Sequence, residues 1–412
     1  MAKTPLVVLE VGTARTVALL GILSTKTGGP PQVAAVSTAR TSGVRKSEVV
    51  SPQSVATTVT GVLKRLSEAG GVDINQLDLV YAGGDLQGMP IHGRAAIDAD
   101  YGEVDEDDVD AAIAHMRDTP VPSGRTTLED IKCDYVLDGK RVVEDPVSLT
   151  ASELAINGIR THVDANSARA IIAAVEEAGC DVATVFSAAA SAPLGCTTPE
   201  QRRNGVLVID LGGGTTSWSV MRDDKTTAVG HLAIGGDHVT NDILCAFHTG
   251  KDESAAELKH VSAQAILEGV DAAEQVPIPK TLGIAKKLKL RALDMVVNAR
   301  LDEMLRIVRD DVRAAGGLEG LGAGIVLCGG GALMRELPTL VTRVFDGIPC
   351  ALGALPALNF PEIDDDPERI RYATVYGALL RAAKMHQEEI AADSGGGGIR
   401  LFNWLGRSGG RP

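Results

Sequence analysis

Aromatic side chains are scarce in this 412-residue chain, in which Phe, Tyr and Trp together make up 3% of the residues. The hydrophobic cores of so long a chain must therefore consist mainly of Ala, Val, Leu and Ile. The six cysteines are scattered and never form a Cys-x-x-Cys pair, and the eight histidines show no ligand spacing. This distribution favours buried thiols in a reducing cytoplasm over disulfides or a zinc site.

Positive charge is also in deficit. The formal net charge of -14 argues against a general nucleic-acid binder, which needs a basic surface. The first apolar run is short and contains Glu10, so we expect no signal peptide. No apolar stretch is long enough to span a bilayer. With 44% hydrophobic and 23% charged residues, the composition is typical of a soluble protein with two or more domains.

The most informative stretch runs from Val206 to Val220 and combines an apolar strand, the acid Asp210, three glycines and a second strand. This pattern predicts a β-hairpin. Glycines allow backbone N–H groups to approach phosphate oxygens, threonines add hydroxyl donors, and a nearby carboxylate can hold hydrated Mg²⁺. An ordinary hairpin with a loose turn is the alternative. The residues of this candidate phosphate turn are Gly212, Gly213, Gly214, Thr215 and Thr216.

The same design occurs near the N-terminus, where the strand carries Glu10, and in part near the C-terminus, where the strand Gly324–Cys328 ends in glycines. The two further turns contain Gly12, Thr13, Ala14 and Arg15 in the first case, and Gly329, Gly330, Gly331, Leu333 and Met334 in the second. Two acid-plus-glycine hairpins followed by a glycine turn, in this order, resemble the actin-like ATPase superfamily. The resemblance implies that ATP binds between two related halves, with Mg²⁺ near Glu10 and Asp210.

Two further stretches narrow the resemblance to the bacterial cell-division family FtsA, which carries an inserted 1C subdomain in the first domain. One is the segment from about Asp85 to Asp164, with an acidic helix start at 102–109 and the run 135–139. The other is Ile234–Ile243, a glycine pair opening a helix, whose N–H groups would suit an anion unless they form a plain helix cap. It adds the candidate nucleotide-binding residues Gly235, Gly236, Asp237 and Asp242.

The resemblance implies an α/β, actin-like two-domain fold with duplicated mixed-sheet halves around a nucleotide cleft, plus the small α+β 1C insertion. The implied parts are domain 1A at 1–84, the 1C insertion at 85–164, the rest of 1A at 165–198, domain 2A at 199–243, subdomain 2B at 244–298, the rest of 2A at 299–362 and the closing 1A helix at 363–390.

Local patterns predict individual elements. Ser51 as N-cap and Pro52 at the first helical position predict a helix to about Ala69. A long helix is predicted from roughly Thr281 to Ala315, and Leu149–Ile156 is expected to be a strand.

The C-terminal residues predict a flexible glycine linker at 391–398 and an amphipathic tail at 399–412. Nothing acidic follows Asp393, so the tail is basic and apolar, a composition suited to an interfacial membrane anchor. FtsA proteins similarly end in such a helix; a disordered tail docked on the body is the alternative. The membrane-facing residues are predicted to be Ile399, Arg400, Phe402, Trp404, Leu405 and Arg407.

Four positions depart from the family pattern. Glu10 stands where many relatives of actin have Asp, and Arg15 replaces the usual Lys. Ser217 replaces an acid, and Asn298 lies where a ribose-binding Glu is expected, with Arg300 retained. We therefore expect ATP binding with weak or no ATPase activity, and the residues suggest no catalytic group.

The resemblance implies a scaffold at the division site that binds ATP and Mg²⁺, polymerises with itself, and links the tubulin-like protein FtsZ to the cytoplasmic face of an anionic membrane. Later division membrane proteins are further expected partners, and nucleic acid is not. Two alternatives stay open: an adaptor of the PilM type from type IV pili, and a small-molecule kinase of the sugar-kinase branch. The first should lack the 234–243 signature and the tail, whereas the second needs a substrate cleft and a base.

Overall fold

The computed structural model describes residues 3–24, 29–45, 48–97, 102–249, 252–269, 271, 273–279, 287–355 and 366–393. The predicted tail and most of the predicted linker lie outside these residues. Among the described helices, none combines the length and apolarity needed to cross a membrane.

The first part of the chain supplies four strands of a five-stranded sheet, a separate two-stranded sheet formed by its fourth and fifth strands, and a covering helix. Its elements are β1 (Lys3–Val11), β2 (Arg15–Ser24), β3 (Gln32–Arg40), β4 (Val44–Arg45), β5 (Glu48–Val49), α1 (Pro52–Gly70) and β6 (Gln76–Tyr81). Helix α1 begins after Ser51 with Pro52 in its first turn, as predicted, and it buries an apolar face that includes Val55, Val59 and Leu66.

A second sheet is inserted between β6 and the last strand of the first sheet. The inserted elements are β7 (Gln87–Ala96), α2 (Glu106–Arg117), β8 (Arg125–Leu137), β9 (Arg141–Val143) and β10 (Glu153–Asp164). The strands are arranged in the order β7-β10-β8-β9, and α2 packs its apolar face on them around Val109, Ile113 and Met116. The acidic start of α2 is a capping box in which Asp105 and Asp108 each accept from the other's backbone N–H, so these acids serve the helix.

The chain then completes the first sheet and enters the second half of the molecule. The elements are α3 (Ala165–Glu177), β11 (Asp181–Ser187), α4 (Ala188–Cys196), α5 (Pro199–Arg203), β12 (Val206–Leu211), β13 (Thr216–Arg222), β14 (Lys225–Leu232), α6 (Gly236–Phe247), α7 (Asp252–Glu257), a π-helical turn (Leu258–Ser262), β15 (Gln275–Pro277), β16 (Lys287–Lys289), α8 (Leu290–Ala314), β17 (Ile325–Cys328), a 3-10 turn (Gly330–Leu333), α9 (Leu337–Val344), β18 (Cys350–Leu352), α10 (Asp366–Arg369), a 3-10 turn (Ile370–Tyr372) and α11 (Ala373–Asp393).

The two five-stranded sheets have the same topology. The first has the order β3-β2-β1-β6-β11 and the second the order β14-β13-β12-β17-β18. In each, three consecutive antiparallel strands are followed by two parallel strands, so β1 and β2 correspond to β12 and β13. The duplicated mixed-sheet halves predicted from the sequence are therefore confirmed.

Helices α4 and α11 pack against each other between the two sheets. Their backbones come so close that a Cβ at Gly195 would lie 1.8 Å from the carbonyl oxygen of Ala373, and one at Gly377 would lie 1.9 Å from that of Ser191. A buried cluster with Val8 and Phe186 from the first half and Val208 from the second surrounds this crossing. Because α4 leads into the second half and α11 returns from it, the crossing joins the two halves.

Two element predictions were wrong. The long helix begins at Leu290 rather than Thr281, since Lys287–Lys289 pairs with β15 as a strand; residues 281–286 lie outside the described residues. The strand predicted from Leu149 begins at Glu153. The preceding backbone bonds to the loop before α2 instead: Val104 N–H donates to Leu149 C=O and Ala151 N–H to Gly102 C=O.

Candidate functional site

A cavity of about 470 Å³ lies where the glycine turns of the two halves meet. Both hairpin turns are closed in the same way, since Gly12 N–H donates to Arg15 C=O at 3.0 Å and Gly212 N–H to Thr215 C=O at 2.9 Å. The tips are in contact, because a Cβ at Gly214 would lie 2.3 Å from Thr13 Oγ1. Each half thus contributes one equivalent turn to the same cleft.

Most of the predicted site residues line this cavity. They are Glu10, Gly12, Thr13, Ala14, Arg15, Asp210, Gly212, Gly213, Thr215, Gly236, Asp237, Gly329, Gly330, Gly331, Leu333 and Met334. Four do not line it and have structural contacts instead. Gly214 packs on Thr13, the Thr216 hydroxyl donates to Ile234 C=O, Gly235 packs on the β12–β13 turn, and Asp242 forms an ion pair with Arg300 at 2.6 Å.

The backbone at the start of α6 donates hydrogen bonds to the β12–β13 turn. Gly236 N–H donates to Gly212 C=O at 2.9 Å, and Asp237 N–H donates to Gly213 C=O at 2.7 Å. A Cβ at Gly235 would lie 2.6 Å from Gly213 O, so only glycine fits there. These N–H groups are therefore occupied by protein carbonyls. In this structure they fix the shape of the candidate phosphate turn rather than facing an anion.

Two carboxylates, those of Glu10 and Asp210, line the cleft close enough to influence each other. Burial, reinforced by the charge of Asp210, raises the pKa of Glu10 to about 8, and burial also raises the pKa of Asp210. Asp210 accepts a hydrogen bond from the Thr374 hydroxyl at 2.5 Å. Two buried acids in contact with one cavity need a proton or a cation between them.

This pair fits Mg²⁺ bound in part through phosphate and water. Among the described residues, no group of three or more Asp, Glu, His or Cys side chains converges as a complete metal site. Mg²⁺ typically uses one or two carboxylates together with substrate phosphates and water. Glu10 and Asp210 would supply those carboxylates, and Mg²⁺ would neutralise phosphate charge.

Gly329 gives the third turn its shape. Its φ of +82° lies in the left-handed region, and a Cβ there would lie 2.2 Å from Asp210 Oδ1. The glycine therefore allows β17 to end directly beside the carboxylate, and the following 3-10 turn brings Leu333 and Met334 to the cavity wall.

Positive groups from both halves converge on the same cavity. Arg15 comes from the hairpin of the first sheet, Lys259 from the second half and Arg371 from the turn before α11, and the imidazole of His260 lies close to all three. Burial, followed by the charges of Lys259, Arg371 and Arg15, lowers the pKa of His260 to about 4. Burial also lowers the pKa of Arg371 and of Lys259. Like charges held this close favour a polyanion between them.

The sequence prediction missed several cavity residues that come from other parts of the chain. They are His231, Lys259, His260, Leu301, Met304, Glu368, Arg371 and Thr374. Lys259 is the most firmly placed, because its ammonium donates to Gly236 C=O at 2.9 Å and to the Thr240 hydroxyl at 2.7 Å. Asn298, where we expected a ribose-binding side chain, donates to Ala265 C=O at 2.7 Å and does not line the cavity.

Comparison with family models gives two matches. The model described as cell division protein FtsA matches residues 207–377, and the model described as the SHS2 domain inserted in FtsA matches residues 83–160. Together they cover more than half of the chain. The second match falls on the inserted sheet.

Whole-length relatives agree with these matches. The chain is 26% identical to FtsA of Pseudomonas aeruginosa over 389 residues, covering 94% of this chain and 91% of that protein. It is 27% identical to FtsA of Escherichia coli K12 over 415 residues, covering 96% of each.

Solved structures support the fold. The PilM–PilN type IV pilus biogenesis complex matches with a TM-score of 0.60 at 16% identity, covering 93% of this chain and 99% of that one. MreB5 of Spiroplasma citri bound to ADP matches with a TM-score of 0.55 at 14% identity, covering 94% and 98%. At these identities the likeness establishes an actin-like fold alone. With the family matches and the inserted domain, the chain belongs to the FtsA family of cell division proteins.

Proposed function

We propose that this chain is an ATP-binding scaffold of the division site. The observation that supports ATP most strongly is the convergence of Arg15, Lys259 and Arg371, from both halves, on a cavity bounded by two equivalent glycine turns. A nucleotide triphosphate supplies the polyanion that relieves this repulsion, and backbone N–H groups near Gly12 and Gly212 can approach its oxygens.

The same arrangement gives ATP a mechanical role. A ligand that contacts both halves stabilises the arrangement of the halves in which all of those contacts form. When the halves separate, some of the contacts break and this stabilisation is lost. The buried α4–α11 crossing is the pivot region that such closure would use. ATP would therefore act mainly by holding the halves together for self-assembly, with slow turnover at most.

Family membership extends the proposal to partners. We infer that the chain polymerises, links FtsZ filaments to the inner face of the cytoplasmic membrane and recruits later division membrane proteins. Helix α11 ends at Asp393, and the chain continues into the glycine linker and the basic, apolar tail. A single tail of this length should bind anionic lipid weakly, so that membrane binding grows with assembly.

Nucleotide binding is tested by titrating the full chain with a fluorescent ATP analogue in the presence and absence of Mg²⁺. We expect saturable binding, weakened by Mg²⁺ removal and by Arg371→Gln, with Arg306→Gln on the exposed face of α8 as the control. If binding is undetectable with Mg²⁺, ATP has no place in the function of this chain.

Membrane tethering is tested by co-sedimentation with anionic liposomes, ATP, Mg²⁺ and FtsZ, comparing the full chain with a chain truncated after Ser394. We expect the full chain to carry FtsZ into the pellet and the truncated chain to stay in solution. If both stay in solution, the anchor is wrong.

A pilus-type adaptor is the second candidate because the PilM–PilN complex shares the fold over 93% of this chain. It predicts capture of a short cytoplasmic tail of a pilus protein, independent of lipid. If the chain stays in solution in the liposome experiment and also captures such a tail, the adaptor is favoured over the scaffold. The kinase alternative predicts phosphoryl transfer to sugars or acetate faster than to water, which a coupled assay measures directly.

A further inference from the structure

Three polar side chains form a row across the second sheet, directly beneath the cleft. The strand register pairs Asp210 of β12 with Ser217 of β13, and Ser217 with His231 of β14. Directly paired residues on neighbouring strands project from the same face of a sheet. All three side chains line the cavity. The row therefore connects the candidate metal carboxylate with an imidazole.

The imidazole of His231 has no hydrogen-bond partner among the described residues. Neither ring nitrogen is accessible to solvent, although the residue as a whole is only partly buried. Buried polar side chains are almost always hydrogen-bonded, and exceptions often have a catalytic role or bind a water or ligand.

The protonation state of His231 suits a hydrogen-bond acceptor. Burial lowers its pKa to about 4, against a smaller opposing effect of Asp85, so the ring is neutral near pH 7. A neutral imidazole has one donor and one acceptor nitrogen. The cationic groups of the cleft, by contrast, offer only donors to an attacking water. His260 is likewise neutral near pH 7, but His231 is the imidazole in the row that begins at Asp210, and it can accept from a water once the ring turns a covered nitrogen toward the cavity.

We propose that His231, with Ser217 beside it, orients the water that attacks the terminal phosphate of bound ATP. This inference rests on the proposed ATP function and assigns the group that sequence reasoning left unnamed. Phosphoryl transfer depends mainly on positioning and electrostatics, and a water-positioning side chain is one of its recurring parts.

The water oxygen forms a bond to the terminal phosphorus, and the bond from that phosphorus to the bridging oxygen breaks, with its electron pair leaving on ADP. One water proton is hydrogen-bonded to His231 during attack and ends on the released phosphate, so the ring is neutral before and after. Because so weak a base orients the water without taking its proton, turnover should be slow.

The test uses the full chain with His231→Ala, His231→Gln and Ser217→Ala. His92→Ala is the matched control, since His92 is exposed on the inserted sheet and bonds to Asn157. Three quantities are measured: the Kd for Mg·ADP, the single-turnover rate of phosphate release, and the extra affinity gained when aluminium fluoride is added to Mg·ADP as a mimic of the transferring phosphoryl group.

We expect His231→Ala to keep the Kd for Mg·ADP within about twofold while phosphate release falls roughly 10²-fold. The extra affinity for aluminium fluoride should disappear in the same variant. His231→Gln, whose amide oxygen can accept a hydrogen bond, should recover part of both, and His92→Ala should match the wild type. A second readout uses the wild type only: the ¹³Cε1 NMR resonance of His231 should shift with aluminium fluoride and not with Mg·ADP alone.

Two results would overturn the inference while leaving the ATP function intact: phosphate release and aluminium fluoride affinity unchanged in His231→Ala, or no phosphate release by the wild type above the water rate. Absence of Mg·ADP and Mg·ATP binding by the wild type would overturn the ATP function and the inference together.

Discussion

Glu10 lies in an environment unlike that of a surface acid. Its pKa of about 8 lies well above its ordinary value of 4.5, chiefly because of burial. In the folded protein it retains a proton that the unfolded chain loses between about pH 4.5 and about 8. The free energy of unfolding contributed by this group therefore falls as pH rises through that window.

Replacing Glu10 should flatten this pH dependence. In Glu10→Gln we expect the thermal midpoint of the ligand-free protein to fall less between these two pH values than in the wild type. The limit for one proton is about 1.4 kcal/mol per pH unit, or roughly 1.6 °C per unit for a protein of this size. Scanning calorimetry over this range, with Glu68→Gln on the exposed side of α1 as control, measures it. Parallel curves for Glu10→Gln and the wild type would mean that Glu10 ionises normally.

Gly329 and Gly330 allow a matched comparison within one turn. Gly329→Ala forces a Cβ to within 2.2 Å of Asp210 Oδ1 at a φ of +82°, whereas a Cβ at Gly330 meets nothing within 4 Å. We expect Gly329→Ala to lower the free energy of unfolding by about 1–3 kcal/mol and Gly330→Ala to change it little. Thermal unfolding without ligand measures both. Equal stability of the two variants would show that the turn relaxes without cost.

For individual residues, the sequence predicted a place in the cavity where that place depends only on neighbouring residues along the chain. Glycines and acids at the ends of strands could be located because strand, acid and turn are adjacent along the chain. Arg371, Lys259 and His231 could not, because each reaches the cavity only after distant elements pack. Asp242 and Thr216 were placed in the site by proximity in sequence, and the structure gives them an ion pair and a backbone contact instead.

Among the elements, β8 of the inserted sheet is fastened to α11 by a buried ion pair. Glu129 on β8 is 3% exposed, accepts from Arg381 on α11 at 2.5 Å, and also accepts from Ser187 N–H at 3.0 Å. Arg381 lies 4.7 Å over the Phe186 ring. The inserted sheet is thereby fixed to the helix that leads to the tail.

Breaking this pair should be costly because it leaves the buried Glu129 carboxylate without a countercharge. We expect Arg381→Met to lower the free energy of unfolding by about 3–5 kcal/mol, with much of that recovered in the Glu129→Gln/Arg381→Met double variant. The exposed pair of Arg306 and Asp302 on α8 is the control, where Arg306→Met should cost about 0.5 kcal/mol or less. Thermal unfolding measures all three. A loss no larger than that of the control would mean that water readily replaces Arg381.

Element prediction succeeded where periodicity and caps agree, as for α1. It failed at Lys287–Lys289, because in the sequence a short alternating pattern that runs directly into a helix looks like the first turn of that helix. Only the pairing of these residues with β15 in the structure identifies them as a strand. It also failed at Leu149–Ser152, whose backbone partners lie in a distant loop. The proposed subdomain boundaries, such as 85–164 and 244–298, stay predictions.

In the whole molecule, the repeated topology explains why one bound nucleotide should stabilise both halves. The sheets present equivalent turns, and the cations that face the cavity come from both sides of it. A nucleotide at 100 times its Kd should raise the free energy of unfolding by about 2.7 kcal/mol.

Hydrogen exchange should show that this stabilisation is shared. We expect Mg·ATP to slow amide exchange together in the turns at 12–15 and 212–215, although they belong to different sheets. Arg371→Gln should reduce protection in both turns, including the one whose half it does not belong to, because the ligand is the link between them. Arg306→Gln, on the far side of α8, should leave both unchanged. Protection confined to one turn would mean that the nucleotide binds one half and does not couple the two.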